Sequence, residues 1–365
     1  MAKSEGVSEK TVIIMGAGCS FAYGYPLAHQ TLDYLQKFAQ ELEGSDEHAQ
    51  VHNCVLETID LFGRYREENE ALRTLDQLVD AIHSASRSNP RDPTADARAD
   101  RCVNKAKIAV AALFMSREKA AIGTGLEGYR KLLNCIFGKG SGRYYRPGEM
   151  GADYAVFSFN YDRLFELAFL RMFTSQNLAF YGPDVLNSGL YESRDELQPI
   201  HLDRFALLKL HGSVSFRTNE FIGFRHEGHR PQIDREDNYG DTRFFAPCDL
   251  RGRSEIHPPL IVFPHEQPFL MDYPNGKFDH REYTPHVAVA AGKFAAGATE
   301  IWILGYSCPS EDSDEISDVL SNATRCRRIL IYDPKPDVVR QRIVRHLRAS
   351  SPRIELFPNE FENAF

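Results

Sequence analysis

TVIIMGAGCSFAYGYP, residues 11–26, is the stretch of this sequence that decides its fold. A β-rich apolar run over residues 11–15 ends at a glycine-rich turn, and the turn leads into apolar residues at helical spacing. Short apolar runs of this kind are typical of parallel strands that are buried on both faces. Backbone N–H groups at the start of a helix favour an anion. The stretch therefore predicts a buried strand, a turn that can hold phosphate, and a helix.

A long helical region separates this first unit from the next strand. Amphipathic helical patterns continue to about residue 136, and the next strong strand pattern is DYAVFSFN at 153–160. In an ordinary doubly wound domain the second strand follows soon after the first helix. The sequence therefore predicts an α/β fold, a Rossmann-like parallel sheet with a large helical insertion after the first strand-helix unit. Its boundaries are a discontinuous domain of residues 1–40 and 151–365 and an insertion of residues 41–150.

Further strands are predicted in the second half of the chain. Most are continuous apolar runs that end in glycine, serine, asparagine or aspartate, as expected where buried strands deliver polar residues to a sheet edge. A late helix, VVRQRIVRHLRA, precedes an edge strand, RIELF. We interpret residues 138–149, GKGSGRYYRPGE, as the flexible segment by which the chain leaves the insertion. Residues 217–257 are interpreted as a long connection or small subdomain. The other predicted strands are FALLKLHG (205–212), PLIVF (259–263), EIWILGYS (300–307) and RILIYDP (328–334).

Composition excludes several broad classes of protein. The 365 residues carry a net charge of −8 with a pI near 5.9, which argues against a general nucleic-acid coat or an electrostatic membrane binder. No apolar stretch approaches the roughly 20 residues of a membrane span. The seven cysteines are scattered without a C-x-x-C pair, which argues against a zinc ribbon or redox dithiol. We expect a cytoplasmic protein with reduced thiols, no zinc and no membrane contact.

The glycine turn departs from the fingerprint of hydride-transfer dehydrogenases. Gly16 and Gly18 fit the first two positions of G-x-G-x-x-G, but Phe21 stands at the third. No acidic residue on a second strand follows at the usual distance, so a dehydrogenase is disfavoured. The turn can still bind a pyrophosphate through backbone N–H groups, with Ser20 adding a hydroxyl donor. The alternative is a strand-to-helix turn that binds no ligand.

Polar side chains follow two of the predicted strands. Asn160 ends the strand pattern at 153–160 and Asp162 comes just after it, and an amide and a carboxylate two residues apart can bind ribose hydroxyls. The alternative is a helix start with one of them as N-cap. His211 follows an apolar strand and precedes Gly212, which permits close approach of a ligand or another strand. A histidine there suits general-base work, although a lone histidine is more often structural.

Two later strands end in residues that can line the adenosine end of a dinucleotide. Gly305 and Ser307 end one strand, and Asp333 ends the other. Glycine-serine and aspartate-proline pairs are also common turn formers, so the alternative is a pair of ordinary turns.

The order of these elements is more specific than any one of them and resembles the sirtuin superfamily. The resemblance covers most of the chain outside residues 40–150 and 217–257. It rests on GAGCS (16–20), Gly24 and Pro26, NYD (160–162), KLHGS (209–213), GYS (305–307) and Asp333.

The resemblance implies an NAD-binding fold with NAD as the substrate. Asn160 would orient the ribose or an attacking water, and His211 would act as base on a ribose hydroxyl as nicotinamide departs. Asp162 is grouped with these two as catalytic. The other residues that the resemblance places against NAD are Gly16, Ala17, Gly18 and Ser20 at the diphosphate, Gly305 and Ser307 on the adenosine side, Asp333 at its ribose, and Pro26 and Gly212.

Departures from the protein-deacylating sirtuins narrow the expected activity. Those enzymes hold a zinc module with four cysteines, which the scattered thiols here cannot build. They follow Gly-x-Pro with Asp-Phe-Arg, whereas Leu27, Ala28 and His29 follow here, and Phe159 stands where they usually have glutamine. The chain is therefore similar to zinc-less bacterial anti-phage proteins, which hydrolyse NAD to nicotinamide and ADP-ribose and so deplete an infected cell.

The expected activity is thus that of an NAD+ glycohydrolase. The reaction needs no metal, because the pyridinium is already a good leaving group and the site has only to hold the ribose, shield the oxocarbenium and admit water. Gating is expected through homo-oligomer assembly or a partner encoded nearby, such as a helicase-like ATPase or another sensor. The alternatives are an NAD-dependent protein deacylase or ADP-ribosyl transferase, and a non-catalytic subunit that binds NAD or ADP-ribose.

Overall fold

A six-stranded parallel sheet forms the centre of the protein. The computed structural model describes residues 10–45, 48–88, 94–138, 153–172, 205–217, 258–264, 283–347 and 352–365. The strands are β1 (Lys10–Met15), β2 (Tyr154–Ser158), β3 (Ala206–Lys209), β4 (Gly212–Arg217), β5 (Pro259–Ile261), β6 (Ala298–Leu304), β7 (Arg328–Tyr332) and β8 (Arg353–Phe357).

The strand order in this sheet is β3-β2-β1-β6-β7-β8, with every neighbouring pair parallel. Once β4 and β5 are set aside, this is the 3-2-1-4-5-6 order of doubly wound, dinucleotide-binding sheets. The Rossmann-like prediction is therefore confirmed. The expected edge strand is also confirmed, since among the described strands β8 pairs only with β7, in parallel.

Helices flank the sheet, and a group of them interrupts it between β1 and β2. The group α3 to α6, here called the helical insertion, confirms the large insertion that the sequence predicts. Among the described residues no helix is both long and apolar enough to cross a membrane. The helices are α1 (Gly18–Phe21), α2 (Thr31–Leu42), α3 (Ala49–Glu68), α4 (Leu75–Arg87), α5 (Ala95–Gly123), α6 (Glu127–Phe137), α7 (Leu164–Met172), α8 (Tyr283–Gly297), α9 (Ser313–Asn322) and α10 (Pro336–Ile343).

Each face of the sheet has its own apolar core. Ile13 and Met15 of β1 pack in a cluster with residues of α2 and the helical insertion. Val12 and Ile14 point to the opposite face, into a cluster with α8, α9 and α10. All four side chains are buried, as the continuous apolar run predicts for a central parallel strand. The helical insertion thus covers one face of the sheet and lies beside the turn that follows β1.

Three details differ from the sequence-based expectation. The glycine turn leads into only four residues of helix, because the chain turns at Gly24, with φ of +87°, and enters α2 only after Pro26. The strand predicted at 259–263 forms as β5, but it pairs antiparallel with β4 outside the main sheet. The late helix begins at Pro336, whose fixed φ suits a first helical position, and gives way to a 3-10 turn at residue 344.

Gly212 explains the antiparallel pair. Its φ of +71° redirects the chain directly after His211, and the N–H of Val262 then donates to the His211 carbonyl oxygen at 3.0 Å. The predicted exit of the insertion and the connection at 217–257 fall almost wholly outside the described residues, as does the predicted end of the insertion at residue 150. Its predicted start, residue 41, lies within the last turn of α2. The domain boundaries stay predictions.

Candidate functional site

The sequence-predicted residues meet at the carboxyl end of the sheet. The strand order reverses between β1 and β6, and ligands of doubly wound sheets bind in the crevice at such a reversal. The glycine turn follows β1, and Gly305 follows β6. Asn160 and His211 follow β2 and β3 at matching positions, because each lies two residues beyond the paired residues Ser158 and Lys209.

The two glycine turns at this crevice pack backbone against backbone. The N–H of Gly18 donates to the Gly305 carbonyl oxygen at 2.8 Å. A Cβ added to Gly16 would lie 2.7 Å from the Tyr306 Cα atom, and one added to Gly18 would lie 2.8 Å from the Gly305 oxygen. Gly16 and Gly18 are therefore required by the close approach of the two turns, whatever else they bind.

Most backbone donors of the glycine turn are engaged within the protein. The N–H groups of residues 16, 18, 19 and 20 all donate to carbonyl oxygens at 2.8–3.1 Å. The short helix α1 therefore offers few free donors for a diphosphate. The NAD-binding role of Gly16, Ala17, Gly18 and Ser20 stays a prediction. The oxygens that accept from the N–H groups of residues 16, 18, 19 and 20 are those of Leu304, Gly305, Gly16 and Ala17, respectively.

The Ser20 hydroxyl is the centre of a buried hydrogen-bond network. It donates to Asp162 Oδ2 at 2.7 Å and accepts from Asn160 Nδ2 at 3.3 Å. Its oxygen also lies 2.7 Å from the Tyr129 hydroxyl. Because the single Ser20 proton goes to Asp162, Tyr129 is the donor in that contact. Both lone pairs and the proton of Ser20 are thus used.

Asp162 lies one residue before the N-cap position of α7, because the Arg163 carbonyl oxygen accepts the first helical hydrogen bond, from Leu167. Its Oδ1 atom accepts from the Leu164 N–H at 2.9 Å, at the beginning of α7, while Oδ2 accepts from Ser20. Lys209, buried at the end of β3, contacts the Asp162 carbonyl oxygen and lies 3.3 Å from Glu166 Oε1. Burial raises the pKa of Glu166, and the nearby Lys209 charge acts against that rise. Asp162 is therefore held on both carboxylate oxygens and through its backbone.

Asn160 and His211 each present an unsatisfied polar atom. The two residues are only 6% and 3% exposed. Among the residues that the structure describes, neither Asn160 Oδ1 nor His211 Nε2 has a hydrogen-bond partner. Leaving such a buried atom unsatisfied costs about 1–3 kcal/mol, so this pair at one sheet edge is a candidate contact for a bound group or an ordered water.

The His211 ring is neutral near physiological pH. Burial lowers the pKa of His211 to about 4, although the Glu315 charge acts in the opposite direction. The Nε2 atom lies 3.8 Å from Asp312 Oδ1, which is beyond hydrogen-bond distance. A neutral imidazole with an open ring nitrogen is able to accept a proton from a nearby hydroxyl.

Aromatic side chains line this part of the site. The Phe159 ring stacks on Tyr306 with centroids 4.4 Å apart and meets the His211 ring edge-on at 5.2 Å. The Tyr306 hydroxyl donates to Asp312 Oδ2 at 2.9 Å. No role for Tyr306 was predicted from the sequence, although this residue stands between Gly305 and Ser307 of the GYS motif.

The remaining predicted residues have mainly local contacts. Pro26 is buried, whereas Ser307 is exposed and its carbonyl oxygen accepts from Arg342 at 2.7 Å. Asp333 follows β7, and its Oδ1 atom accepts from the Lys335 N–H at 2.7 Å, in a turn that precedes α10. Their roles in binding NAD stay predictions, as does that of Gly212.

The helical insertion supplies side chains that the sequence analysis did not predict. Besides Tyr129 of α6, Glu118 of α5 forms a buried bidentate ion pair with Arg163, with both N···O distances at 2.6 Å. Asp76, in the first turn of α4, accepts from the Tyr161 hydroxyl at 3.2 Å. No local sequence signal marks these three residues, since each stands in an ordinary amphipathic helix.

Replacing Asp76 by asparagine is expected to change how stability depends on pH. Burial, together with the Asp312 charge, raises the pKa of Asp76 from 3.8 to about 7. Between those values the folded protein holds a proton that the unfolded chain has lost, so the free energy of unfolding falls as pH rises from about 4 to 7. An asparagine at position 76 keeps an oxygen that can accept from the Tyr161 hydroxyl, but it carries no negative charge. We expect Asp76→Asn to be about 2–4 kcal/mol more stable than wild type at pH 8 and nearly equal at pH 4.

Urea denaturation at the two pH values measures this effect. Asp80→Asn, an exposed position on the same helix, is the matched control and is expected to change stability by less than about 0.5 kcal/mol. A D76N variant that is less stable than wild type at pH 8 would show that the carboxylate is favoured at this position.

Comparison of the sequence with protein-family models and with curated proteins finds no match. The resemblance to sirtuins therefore depends on the short sequence motifs and their order alone. The six cysteines within the described residues are free, and no three metal-ligating side chains there are grouped to hold an ion. The expectation that zinc is not bound stays a prediction.

Proposed function

We propose that this chain is an NAD+ glycohydrolase that cleaves NAD+ to nicotinamide and ADP-ribose. The observation that carries the proposal is the pair of unsatisfied polar atoms, Asn160 Oδ1 and His211 Nε2, buried at the carboxyl ends of adjacent strands. They lie in a sheet whose strand order is that of dinucleotide-binding folds, beside the point where the order reverses. They are also the two residues to which the sirtuin resemblance gives catalytic roles.

The proposed reaction breaks the bond between C1′ of the ribose and the pyridinium nitrogen. The bonding electron pair neutralises the pyridinium, nicotinamide leaves, and water bonds to C1′ with release of one proton. Asn160 Oδ1 accepts a hydrogen bond from the ribose or from the attacking water. Neutral His211 acts as base on a ribose hydroxyl as the oxocarbenium develops. The stacked rings of Phe159 and Tyr306 support the proposal as an apolar wall that limits access of bulk water.

Chromatography of NAD+ incubated with the purified chain tests the proposal. The wild type is expected to release nicotinamide and ADP-ribose, alone or with the protein encoded beside it. Asn160→Ala and His211→Ala are each expected to lower the rate about 100-fold, the usual order for loss of a general base or a positioned polar group. His52→Ala, in α3 away from the candidate residues, is the control and keeps the wild-type rate.

Two results would count against the proposal. One is intact NAD+ with folded wild-type protein under both conditions. The other is an Asn160→Ala or His211→Ala variant that hydrolyses NAD+ at the wild-type rate. Thermal unfolding of each variant separates loss of catalysis from loss of the fold.

Unregulated hydrolysis of NAD+ would harm the cell that makes the enzyme. We therefore propose a gated effector of bacterial anti-phage defence that acts in the cytoplasm. Its gate is assembly into a homo-oligomer or contact with a partner such as a helicase-like ATPase or another sensor. This part of the proposal is supported by the motif resemblance alone.

A further inference from the structure

Three successive residues beside the candidate site are held by three different helices of the insertion. The Tyr161 hydroxyl donates to Asp76 of α4 at 3.2 Å. Arg163 forms its bidentate ion pair with Glu118 of α5. Asp162, between them, is joined to α6 through Ser20 and Tyr129. The helical insertion therefore reaches the segment of residues 161–163 through hydrogen bonds and charge as well as apolar packing.

Tyr129 of the insertion contacts Ser20, which in turn is bonded to Asn160 and Asp162. Its side chain is fully buried, and its ring lies against Tyr23, Phe361 and Phe165, with centroid distances of 5.5, 4.9 and 6.3 Å. These contacts fix where the hydroxyl can point. Burial, with a smaller contribution from the Asp162 charge, raises the pKa of Tyr129 well above its usual value. The phenol thus stays protonated and able to donate to Ser20.

The direction of each hydrogen bond around Ser20 follows from counting donors. The Ser20 proton goes to Asp162, so the oxygen has two lone pairs that must accept. Tyr129 donates to one of them, and Asn160 must present its amide nitrogen to the other. The amide oxygen of Asn160 is then turned away from Ser20, and it is this oxygen that has no partner among the described residues.

We propose that Tyr129 is a positioning residue, which by donating to Ser20 keeps the amide oxygen of Asn160 turned toward the substrate. The inference rests on the proposed function and adds to it a residue outside the sheet domain. Without the phenol one lone pair of Ser20 is left unsatisfied, and the hydroxyl is free to rotate and donate to Asn160. The amide would then turn over and present nitrogen where the reaction needs oxygen.

Tyr129→Phe keeps the ring contacts and removes only the donor. We expect it to lower kcat for NAD+ about tenfold, the order expected for loss of one buried hydrogen bond, with a smaller change in KM. Arg130→Ala is the matched control, because Arg130 is the next residue of α6 and forms an exposed ion pair with Glu127. It is expected to keep the wild-type kcat.

A double-mutant cycle with Ser20→Ala separates positioning from packing. If Tyr129 acts through Ser20, Tyr129→Phe has no further effect on kcat once Ser20 is alanine. A tenfold loss that persists in the Ser20→Ala background, or a Tyr129→Phe variant with the wild-type kcat, would overturn the inference while the proposed function stands. Wild-type protein that leaves NAD+ intact would instead overturn the proposed function, and the positioning role with it.

Discussion

Replacement of Glu118 by alanine is expected to lower the free energy of unfolding by about 3–5 kcal/mol, because it removes one partner of a buried ion pair. The Arg163 and Glu118 side chains are only 4% and 2% exposed, and two guanidinium nitrogens lie 2.6 Å from the two carboxylate oxygens. Alanine takes away the carboxylate while the guanidinium charge stays in the protein interior. The loss is large because water cannot replace the missing charge there.

Chemical denaturation of Glu118→Ala and of Glu127→Ala compares the loss of stability for a buried ion pair with that for an exposed one. Glu127 pairs with Arg130 on the protein surface, and exposed pairs of this kind contribute only about 0–1 kcal/mol. The two variants delete the same side chain from neighbouring helices. Equal losses of stability would mean that Glu118 and Arg163 are accessible to water in solution.

Gly305→Ala is expected to destabilise the protein by about 4 kcal/mol, through strain and overlap together. Gly305 has a φ of +52°, which costs other L-residues about 1–2 kcal/mol. An alanine Cβ would also lie 2.5 Å from the Cys19 nitrogen and 2.7 Å from the Gly18 carbonyl carbon. Both are backbone atoms, so no side-chain rotation relieves the overlap, and the two glycine turns must separate.

Gly125→Ala is the control that isolates the overlap. Gly125 has a similar φ, +81°, but nothing lies within 4 Å of an added Cβ. It is expected to lose only the conformational cost, about 1 kcal/mol. If denaturation gave the same loss for both variants, the two glycine turns would not be in contact in solution. A large loss confined to Gly305→Ala would support the contact.

Much of the fold was predictable because parallel strands that are buried on both faces have continuous apolar runs in their sequence. The strands β1, β2, β6 and β7 all carry this signal, and helical spacing between β1 and β2 predicted the insertion. The pairing of β4 with β5 was not predictable, since it depends on a backbone reversal at Gly212 and on a partner about 45 residues away. The shortness of α1 depends likewise on the turn at Gly24.

The candidate site was predictable only where it follows strands. Asn160 and His211 stood out because polar residues directly after buried strands collect at one sheet edge. Tyr129 and Glu118 did not, because their helices contain many apolar and charged residues and only the tertiary packing shows which of them are buried. Asp162 was predicted as either a ribose ligand or a helix N-cap, and it lies one residue before the N-cap position of α7.

The contact between the two glycine turns also fixes when during synthesis this region can form. The Cys19 thiol donates to the Leu304 carbonyl oxygen at 3.1 Å across 285 residues of chain. At about 5–20 residues per second, a ribosome needs on the order of half a minute to translate that distance. Throughout that interval β1 has no β6 to pair with. A nascent polypeptide stopped before β6 therefore cannot close the crevice, and any activity located there belongs to chains translated beyond that strand.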